Sequence, residues 1–350
     1  MKGNEAIGEG AVRAGCRYFF GYPITPQSEL PHYLAKRMPE VGGLYLQAES
    51  EVASINMVFG AAGAGARVMT SSSGPGISLM QEGISYLVGA ELPCVIVNMI
   101  RGGPGLGNIA PAQSDYFQAT KGGGHGDYRL IVLAPASVQE IIDLMQDAFD
   151  LADRYRNPVM LMGDGVLGQM MEPVEMGEEK PVQVPEKPWA ATGRTGGKDK
   201  NLINSLYIVP ENCEVHNFKL GEKYAGIKET QQRWEEYRTE GAEMVLVAFG
   251  TSARICKAVV DMCRQEGLPV GLLRPITLWP FPEKGINGLI NGVKSFLTVE
   301  MNMGQMVEDV RLSVNGQRPV YFYNRVGGMM PVARDIYNEV NKLFKGGASR

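Results

Sequence analysis

Apolar, β-branched runs closed by Gly, Pro or Asp recur along the first half of the chain. "CRYFFGYPITP" predicts a strand that ends in a loop, and "LYLQAE" a second short strand. "ARVMTSSSGPG", "PCVIVNMIRGG", "DYRLIVLAP" and "PVMLMGD" predict four more. The intervening pattern is helical: Asn4 is placed to cap a helix through Gly15, and another helix opens at the head of "QAESEVASINMVFGAAGAGA", residues 47–66. Strands alternating with helices of about 12 residues imply a parallel sheet covered on both faces, with ligands at the carboxyl ends of its strands. Those ends are where this sequence places its Gly, Pro, Ser, Thr and Arg.

From residue 172 to about 205 the pattern lapses into "EPVEMGEEKPVQVPEKPWAATGRTGGKDKN", rich in Pro, Lys and Glu, which predicts a linker lying on the surface. A polar helix is expected near "EKYAGIKETQQRWEEYRTEG". From Met244 a second alternating unit begins, with strands at "MVLVAFG", "PVGLLRPITLWPF", "SFLTVEMN" and "PVYFYN" and helices at "SARICKAVVDMCRQEG" and "QMVEDVRLSVNG". The expected organisation is an α/β domain over 1–171, a linker with a helix over 172–240 and a smaller parallel α/β domain over 241–350.

Composition narrows the function classes. Hydrophobic residues at 44% and charged residues at 21% suit a chain with two cores. A net charge of -4 without any Lys/Arg block argues against nucleic-acid binding. The acidic, Gly-rich start is unlike a signal peptide, and no apolar run reaches the ~20 residues of a membrane span. A cytoplasmic protein is expected. Cys16, Cys94, Cys213, Cys256 and Cys263 form no CxxC pair, and His32, His125 and His216 are not at metal-ligand spacing. Neither a zinc site, an iron–sulfur cluster nor any other metal site is expected on this chain.

Two glycine motifs point elsewhere than first appears. "GLGNIA" matches a dinucleotide fingerprint, but Pro111 follows at once and no apolar strand precedes Asp127, so a loop is expected. "GDG" at 163–165 resembles the opening of a Mg²⁺-diphosphate motif. Its second ligand, an Asn roughly 25 to 30 residues on, is missing from the Pro-rich linker.

Together, "GYPITPQSE", "ESEVASINMVFGAAGAGARVMTSSSGPG", "AELPCVIVNMIRGGPG" and "GGGHGD" resemble the thiamine-diphosphate pyrimidine-binding domain of the 2-oxoacid:ferredoxin oxidoreductases. "LLRPITLWPFP" and "VEMNMGQM" resemble the Rossmann-like, transketolase-C-type domain of the same alpha subunits. Within the family the branched-chain (2-ketoisovalerate) type looks nearest and the 2-oxoglutarate type second. The resemblance implies oxidative decarboxylation of a 2-oxoacid with CoA to acyl-CoA, CO2 and reduced ferredoxin.

The resemblance also implies roles for residues. Thiamine acts as a nucleophile only when a carboxyl group hydrogen-bonded to N1' of its aminopyrimidine promotes the imino form. In the family this acid stands nine residues before a helical Gly, as Glu51 does before Gly60; Glu49, eleven before it, is a surface charge. The turn holding Ser73, Gly74 and Pro75 lies beside the pyrimidine, with no catalytic duty on its serines. The family's threonine that bonds the substrate matches Thr25, and its arginine that grips the 2-oxoacid carboxylate matches Arg101, a task suited to the forked guanidinium. His125 is a third substrate-pocket candidate. The stripe Ala53, Gly60, Ala61, Ala62, Gly63, Ala64 and Gly65 sacrifices helix propensity, about 1 kcal/mol per interior Gly. It implies either tight packing within this chain or a subunit interface over the cofactor.

Lacking a complete Mg²⁺-diphosphate motif and cluster cysteines, the chain needs partners. The resemblance implies a beta subunit bearing the diphosphate-binding domain, Mg²⁺ and a [4Fe-4S] cluster, with gamma and ferredoxin-like chains besides. Two alternatives stay open: a split-subunit, non-oxidative thiamine-dependent decarboxylase, and a catalytically silent scaffold subunit.

Overall fold

Two sheets, of seven and five strands, organise the computed structural model, which describes residues 1–178, 182–194 and 200–346. The first unit runs α1 (Gly3–Arg13), β1 (Tyr18–Gly21), α2 (Glu29–Glu40), β2 (Leu44–Gln47), α3 (Glu51–Gly63), β3 (Val68–Ser72), α4 (Gly74–Gly89), β4 (Val95–Ile100), α5 (Tyr116–Thr120), β5 (Ile131–Leu133), α6 (Val138–Tyr155), β6 (Val159–Asp164) and α7 (Gly165–Gln169). Every apolar run predicted as a strand in this half is one. Strands β1 to β6 are all parallel, in the order β5-β6-β4-β3-β1-β2. All of β3 and β4 is buried, because helices cover both faces, which is why they read as unbroken apolar runs. The chain leaves β1 toward β2 on one side and continues at β3 on the other. The order therefore reverses at β1 and opens a crevice at the carboxyl ends of the strands.

The opening helix differs from expectation. Lys2, not Asn4, is its cap, with the Lys2 N–H donating to the Glu5 carboxylate. Asn4 is fully buried, and its Nδ2 donates to the Pro26 carbonyl at 2.9 Å and to Glu29 at 3.0 Å, so tertiary partners took the side chain that the pattern assigned to a cap.

The second unit comprises α8 (Pro210–Thr230), β7 (Trp234–Tyr237), β8 (Met244–Val247), α9 (Gly250–Gln265), β9 (Val270–Pro275), β10 (Thr277–Trp279), α10 (Glu283–Leu289), β11 (Ser295–Glu300), α11 (Met306–Val314), β12 (Val320–Asn324) and α12 (Ala333–Gly346). Its sheet runs β12-β11-β8-β9-β7, parallel except for β7. The helix expected through "QQRWEEYRTEG" stops at Thr230, and Trp234–Tyr237 pairs antiparallel with β9 instead. The run "PVGLLRPITLWPF" also divides. β9 stays in the second sheet, while β10 crosses to the first and pairs antiparallel with β5. Each sheet thus carries one antiparallel edge strand on an otherwise parallel frame, where wholly parallel sheets were expected.

One apolar core is continuous from the first sheet into the second unit through Phe249, Leu273, Leu278 and Phe296, and a separate cluster fills the far face around Leu246, Val259, Leu272 and Ile336. Between 182 and 209 the described chain has no regular structure until α8 begins, and it runs across α3 and α4. The Ala191 N–H donates to the Gly63 carbonyl at 2.8 Å, Ile203 packs over Gly63, and Ser205 packs over Gly89. Linker residues 179–181 and 195–199 lie outside the described residues. Within the small-residue stripe Ala62 and Gly63 are buried, Gly63 under the chain's own linker, whereas Gly60 and Ala64 stay exposed. Among the described residues no helix is long and apolar enough to cross a membrane.

Candidate active site

The carboxyl edge of the first sheet gathers most of the residues singled out from the sequence. Thr25 follows β1, Glu51 follows β2, Ser73 and Gly74 follow β3, and Arg101 follows β4. Glu51 is the first residue of α3, behind the cap Ser50, whose Oγ accepts from the Ala53 N–H at 3.2 Å. The helix start turns Glu51 inward, leaving it 6% exposed, while Glu49 is exposed. Its carboxyl lies against Gly76 in the first turn of α4. A Cβ built there would collide with Ser72 Oγ and lie 2.6 Å from Glu51 Oε1. No described residue hydrogen-bonds the Glu51 carboxylate, although buried carboxylates are ordinarily paired. The hydroxyls of Ser72 and Ser73 are likewise buried and unpartnered. A buried carboxyl without a donor among the described residues, beside orphan hydroxyls and a helix start with no room for a side chain, fits a flat, nitrogen-bearing ring such as an aminopyrimidine.

A cleft of about 480 Å³ opens on the other side of the α4 start. The first unit lines it with Gly74, Pro75, Arg101 and Asp115; the loops after β11 and β12 close it with Met301, Asn302, Met303 and Val326. Arg101 Nη1 donates to the Thr25 carbonyl at 3.0 Å and Nη2 to the Leu106 carbonyl at 3.4 Å; its Nε is buried without a partner. The guanidinium is thus held in place by backbone carbonyls, with donors to spare and no acidic partner among the described residues. Thr25 itself is exposed beside it. The "GLGNIA" segment is the loop that the sequence predicts: the Gly102 N–H donates to the Ala110 carbonyl and the Asn108 N–H to the Gly102 carbonyl, both at 2.9 Å.

Buried polar contacts lock the two units around this cleft. Gln113 Oε1 accepts from Ser252 Oγ at 2.8 Å and from the Met301 N–H at 3.0 Å, and its Nε2 donates to the Phe249 carbonyl at 2.9 Å. Asn302 Nδ2 donates to the Gln113 carbonyl and to Glu300, which in turn accepts from the Met306 and Val307 N–H groups at the start of α11. Burial pushes the Glu300 carboxyl up from its ordinary value against those hydrogen bonds.

Other sequence candidates lie apart. His125 is exposed at the opposite end of α4, edge-on to Tyr86, its carbonyl accepting from Ser85 Oγ at 2.7 Å. The structure brings Glu51, Ser73, Gly74, Pro75, Arg101 and Thr25 together, but not His125. Asp164 of "GDG" is buried and caps α7, one oxygen accepting from the Val166 and Leu167 N–H groups at 2.9 and 3.2 Å. Among the described residues no cluster of His, Cys, Asp or Glu could hold a metal ion.

Sequence reasoning missed Asp115 and Asn98. Asn98 lies within β4, fully buried, and its Nδ2 donates to Asp115 Oδ2 at 3.0 Å. A single amide inside the apolar run "CVIVNMI" was the available signal, since a fully buried strand rarely carries one without a task.

Comparison with known proteins gives the family. Residues 9–237 match the family model for the pyruvate flavodoxin/ferredoxin oxidoreductase, thiamine diphosphate-binding domain, and residues 242–336 match the pyruvate:ferredoxin oxidoreductase core domain II. The ketoisovalerate oxidoreductase subunit VorB of Methanothermobacter marburgensis is 54% identical over 343 residues, 98% of this chain and 97% of the relative. The 2-oxoglutarate synthase subunit KorA of Methanocaldococcus jannaschii is 37% identical over 350 residues, 94% of this chain and 95% of the relative. A solved 2-oxoglutarate:ferredoxin oxidoreductase from Magnetococcus marinus, with 2-oxoglutarate, coenzyme A and succinyl-CoA bound, superposes on 98% of this chain with a TM-score of 0.86 and 30% identity. This chain spans 64% of that one. Two family models matched in order, and relatives aligned along nearly the whole length, place this chain in the pyruvate flavodoxin/ferredoxin oxidoreductase family.

Proposed function

We propose that the chain is the alpha subunit of a branched-chain 2-oxoacid:ferredoxin oxidoreductase, which decarboxylates 2-oxoisovalerate oxidatively with CoA. The carrying observation is Glu51, a buried carboxyl without a partner among the described residues, at the carboxyl edge of the first sheet, in a chain 54% identical to a ketoisovalerate oxidoreductase subunit. Thiamine diphosphate, when bound, supplies a nucleophilic carbon and a sink for the electron pair left by CO2. Glu51 would hold its proton at N1' of the aminopyrimidine, with Ser73, Gly74 and Pro75 along the ring. Arg101 would take the substrate carboxylate through its free N–H groups, and the Thr25 hydroxyl would bond the same substrate. A beta subunit would bring the diphosphate-binding domain, Mg²⁺ and a [4Fe-4S] cluster, with gamma and ferredoxin-like chains passing electrons to ferredoxin.

The cleft lining favours a branched-chain substrate over 2-oxoglutarate. Among its described residues Arg101 is the only cation, and Ala112, Met301, Met303 and Val326 supply apolar surface. A second carboxylate would enter this space without a counter-charge.

Reconstitution with the partner subunits, followed by 2-oxoacid-dependent viologen reduction, tests the proposal. Glu51→Gln and Glu51→Ala should each lower kcat about 100-fold or more. Since Glu51 has no described partner, Glu51→Gln should leave the melting temperature unchanged or raised. Near-normal turnover by either variant overturns the assigned role, and preference for 2-oxoglutarate over 2-oxoisovalerate overturns the substrate.

A further inference from the structure

Buried polar groups without partners gather where β3 runs into α4. Thr70 Oγ1, Ser72 Oγ and Asn98 Oδ1 are buried with no hydrogen-bond partner among the described residues, and the Glu51 carboxyl has none there either. Thr70 and Ser72 alternate onto one face of β3, and Asn98 is the register partner of Ser72 on the adjacent parallel strand β4, so all three share that face. Glu51 meets them from the start of α3.

The meeting point is Gly76. The place where its Cβ would stand is 2.0 Å from Ser72 Oγ and 2.6 Å from Glu51 Oε1, and the next nearest atom is Glu51 Cγ at 3.0 Å. The two oxygens are therefore no more than about 4.6 Å apart, the sum of those first two distances, and a turn of either side chain to another staggered position can close that gap to a hydrogen bond. Neighbouring hydroxyls are spent or placed elsewhere. Ser71 Oγ, on the other face of β3, donates to Gln27 Oε1 at 2.6 Å, and Ser54 Oγ donates to the Ser50 carbonyl at 3.0 Å. The Gly76 N–H is taken by the Ser73 carbonyl at 2.8 Å, and the Ser73 hydroxyl, itself unpartnered, is not among the atoms against Gly76. Ser72 is the donor at hand for Glu51.

A carboxyl that works on an aminopyrimidine must keep one oxygen at N1' in both of its protonation states. Its last torsion is soft, so one contact leaves the group free to swing, and a buried carboxylate oxygen needs a donor of its own. A hydroxyl supplies that donor without adding a charge. We propose that Ser72 is a positioning residue whose hydroxyl donates to Oε1 of Glu51 and so turns Oε2 toward N1' of the aminopyrimidine. In this role Ser72 acts through Glu51, touching neither substrate nor ring, and the role presupposes the Glu51 assignment proposed above.

A double-variant cycle in the reconstituted complex tests it, with Ser72→Ala, Glu51→Gln and the two together. Ser72→Ala should lower kcat about tenfold and leave the KM for 2-oxoisovalerate unmoved. In the Glu51→Gln background the same change should cost nothing further. Two readouts stand apart from turnover. The near-ultraviolet circular dichroism of the bound cofactor's imino form should weaken in Ser72→Ala. The melting temperature of the complex without thiamine diphosphate should stay the same or rise, because the change removes a buried hydroxyl that has no partner. Wild-type kcat in Ser72→Ala, losses that multiply in the double variant, or a melting temperature lowered by several degrees overturns the positioning role while leaving Glu51 in place. Wild-type turnover in Glu51→Gln overturns the Glu51 assignment, and this role with it.

Discussion

At the scale of single residues, Gly76 does as much for the site as the carboxyl beside it. Position 76 is a glycine because Ser72 Oγ and Glu51 Oε1 occupy the volume that any side chain would need. Gly76→Ala should therefore displace the Glu51 carboxyl without unfolding the helix, whose propensity the change improves. The expected outcome is at least a tenfold loss of thiamine diphosphate affinity in the reconstituted complex, read by fluorescence titration, with an unchanged circular dichroism spectrum. The same closeness separates Glu51 from Glu49. Two positions along the chain carry identical chemistry, and the first turn of a capped helix decides which of them is buried. His125 shows the converse, since its Gly-rich setting resembled a ligand loop while the fold put it at the far end of α4.

At the scale of elements, α8 is held by ions more than by a core. Of its 21 residues only Leu220 and Ile227 are buried. Lys219 and Lys223 instead grip Glu91, Lys223 at 2.8 Å. Burial pushes the Glu91 carboxyl up, but the hydrogen bonds from the two lysines outweigh it and hold the group at about 2. The folded state thus binds the Glu91 proton more weakly than the unfolded chain. This contribution is complete above the ordinary carboxylate value of 4.5 and disappears as pH falls from there toward about 2. Limited proteolysis across that window should show cleavage in α8 before the sheets unfold. Glu91→Gln should be cleaved there already at neutral pH, whereas equal resistance of variant and wild type would refute the anchor.

At the scale of the whole molecule, the two matched family models do not mark two independent folding units. β10 lies in the second by sequence and in the first sheet by pairing, and Arg274, 2% exposed, joins Glu140 of the first unit to Glu235 of the second. Expressed alone, 1–237 should lack an edge strand, and 242–350 should leave the otherwise buried Leu278 and Trp279 without their sheet. Each fragment is expected to aggregate, and co-expression to restore a folded pair. A monodisperse, cooperatively melting 242–350 fragment would contradict this. The shared strand also fixes the cleft, because the loops after β11 and β12 form a wall of the site only when the second sheet is docked rigidly.

The sequence by itself determined the strand–helix alternation, the carboxyl edge of the sheet and the family, and it singled out Glu51, Thr25 and Arg101, which the fold gathers at that edge. Those signals are local: a period of apolar residues, a turn composition, a spacing from carboxylate to glycine. Tertiary structure alone decided which sheet β10 joins, that the linker covers Gly63, and that Asp115 and Arg101 line one cleft. Edge pairing and burial depend on what arrives from far along the chain, so neither the pattern around Thr277 nor the isolated polar Asn98 could reveal its partner before the units met.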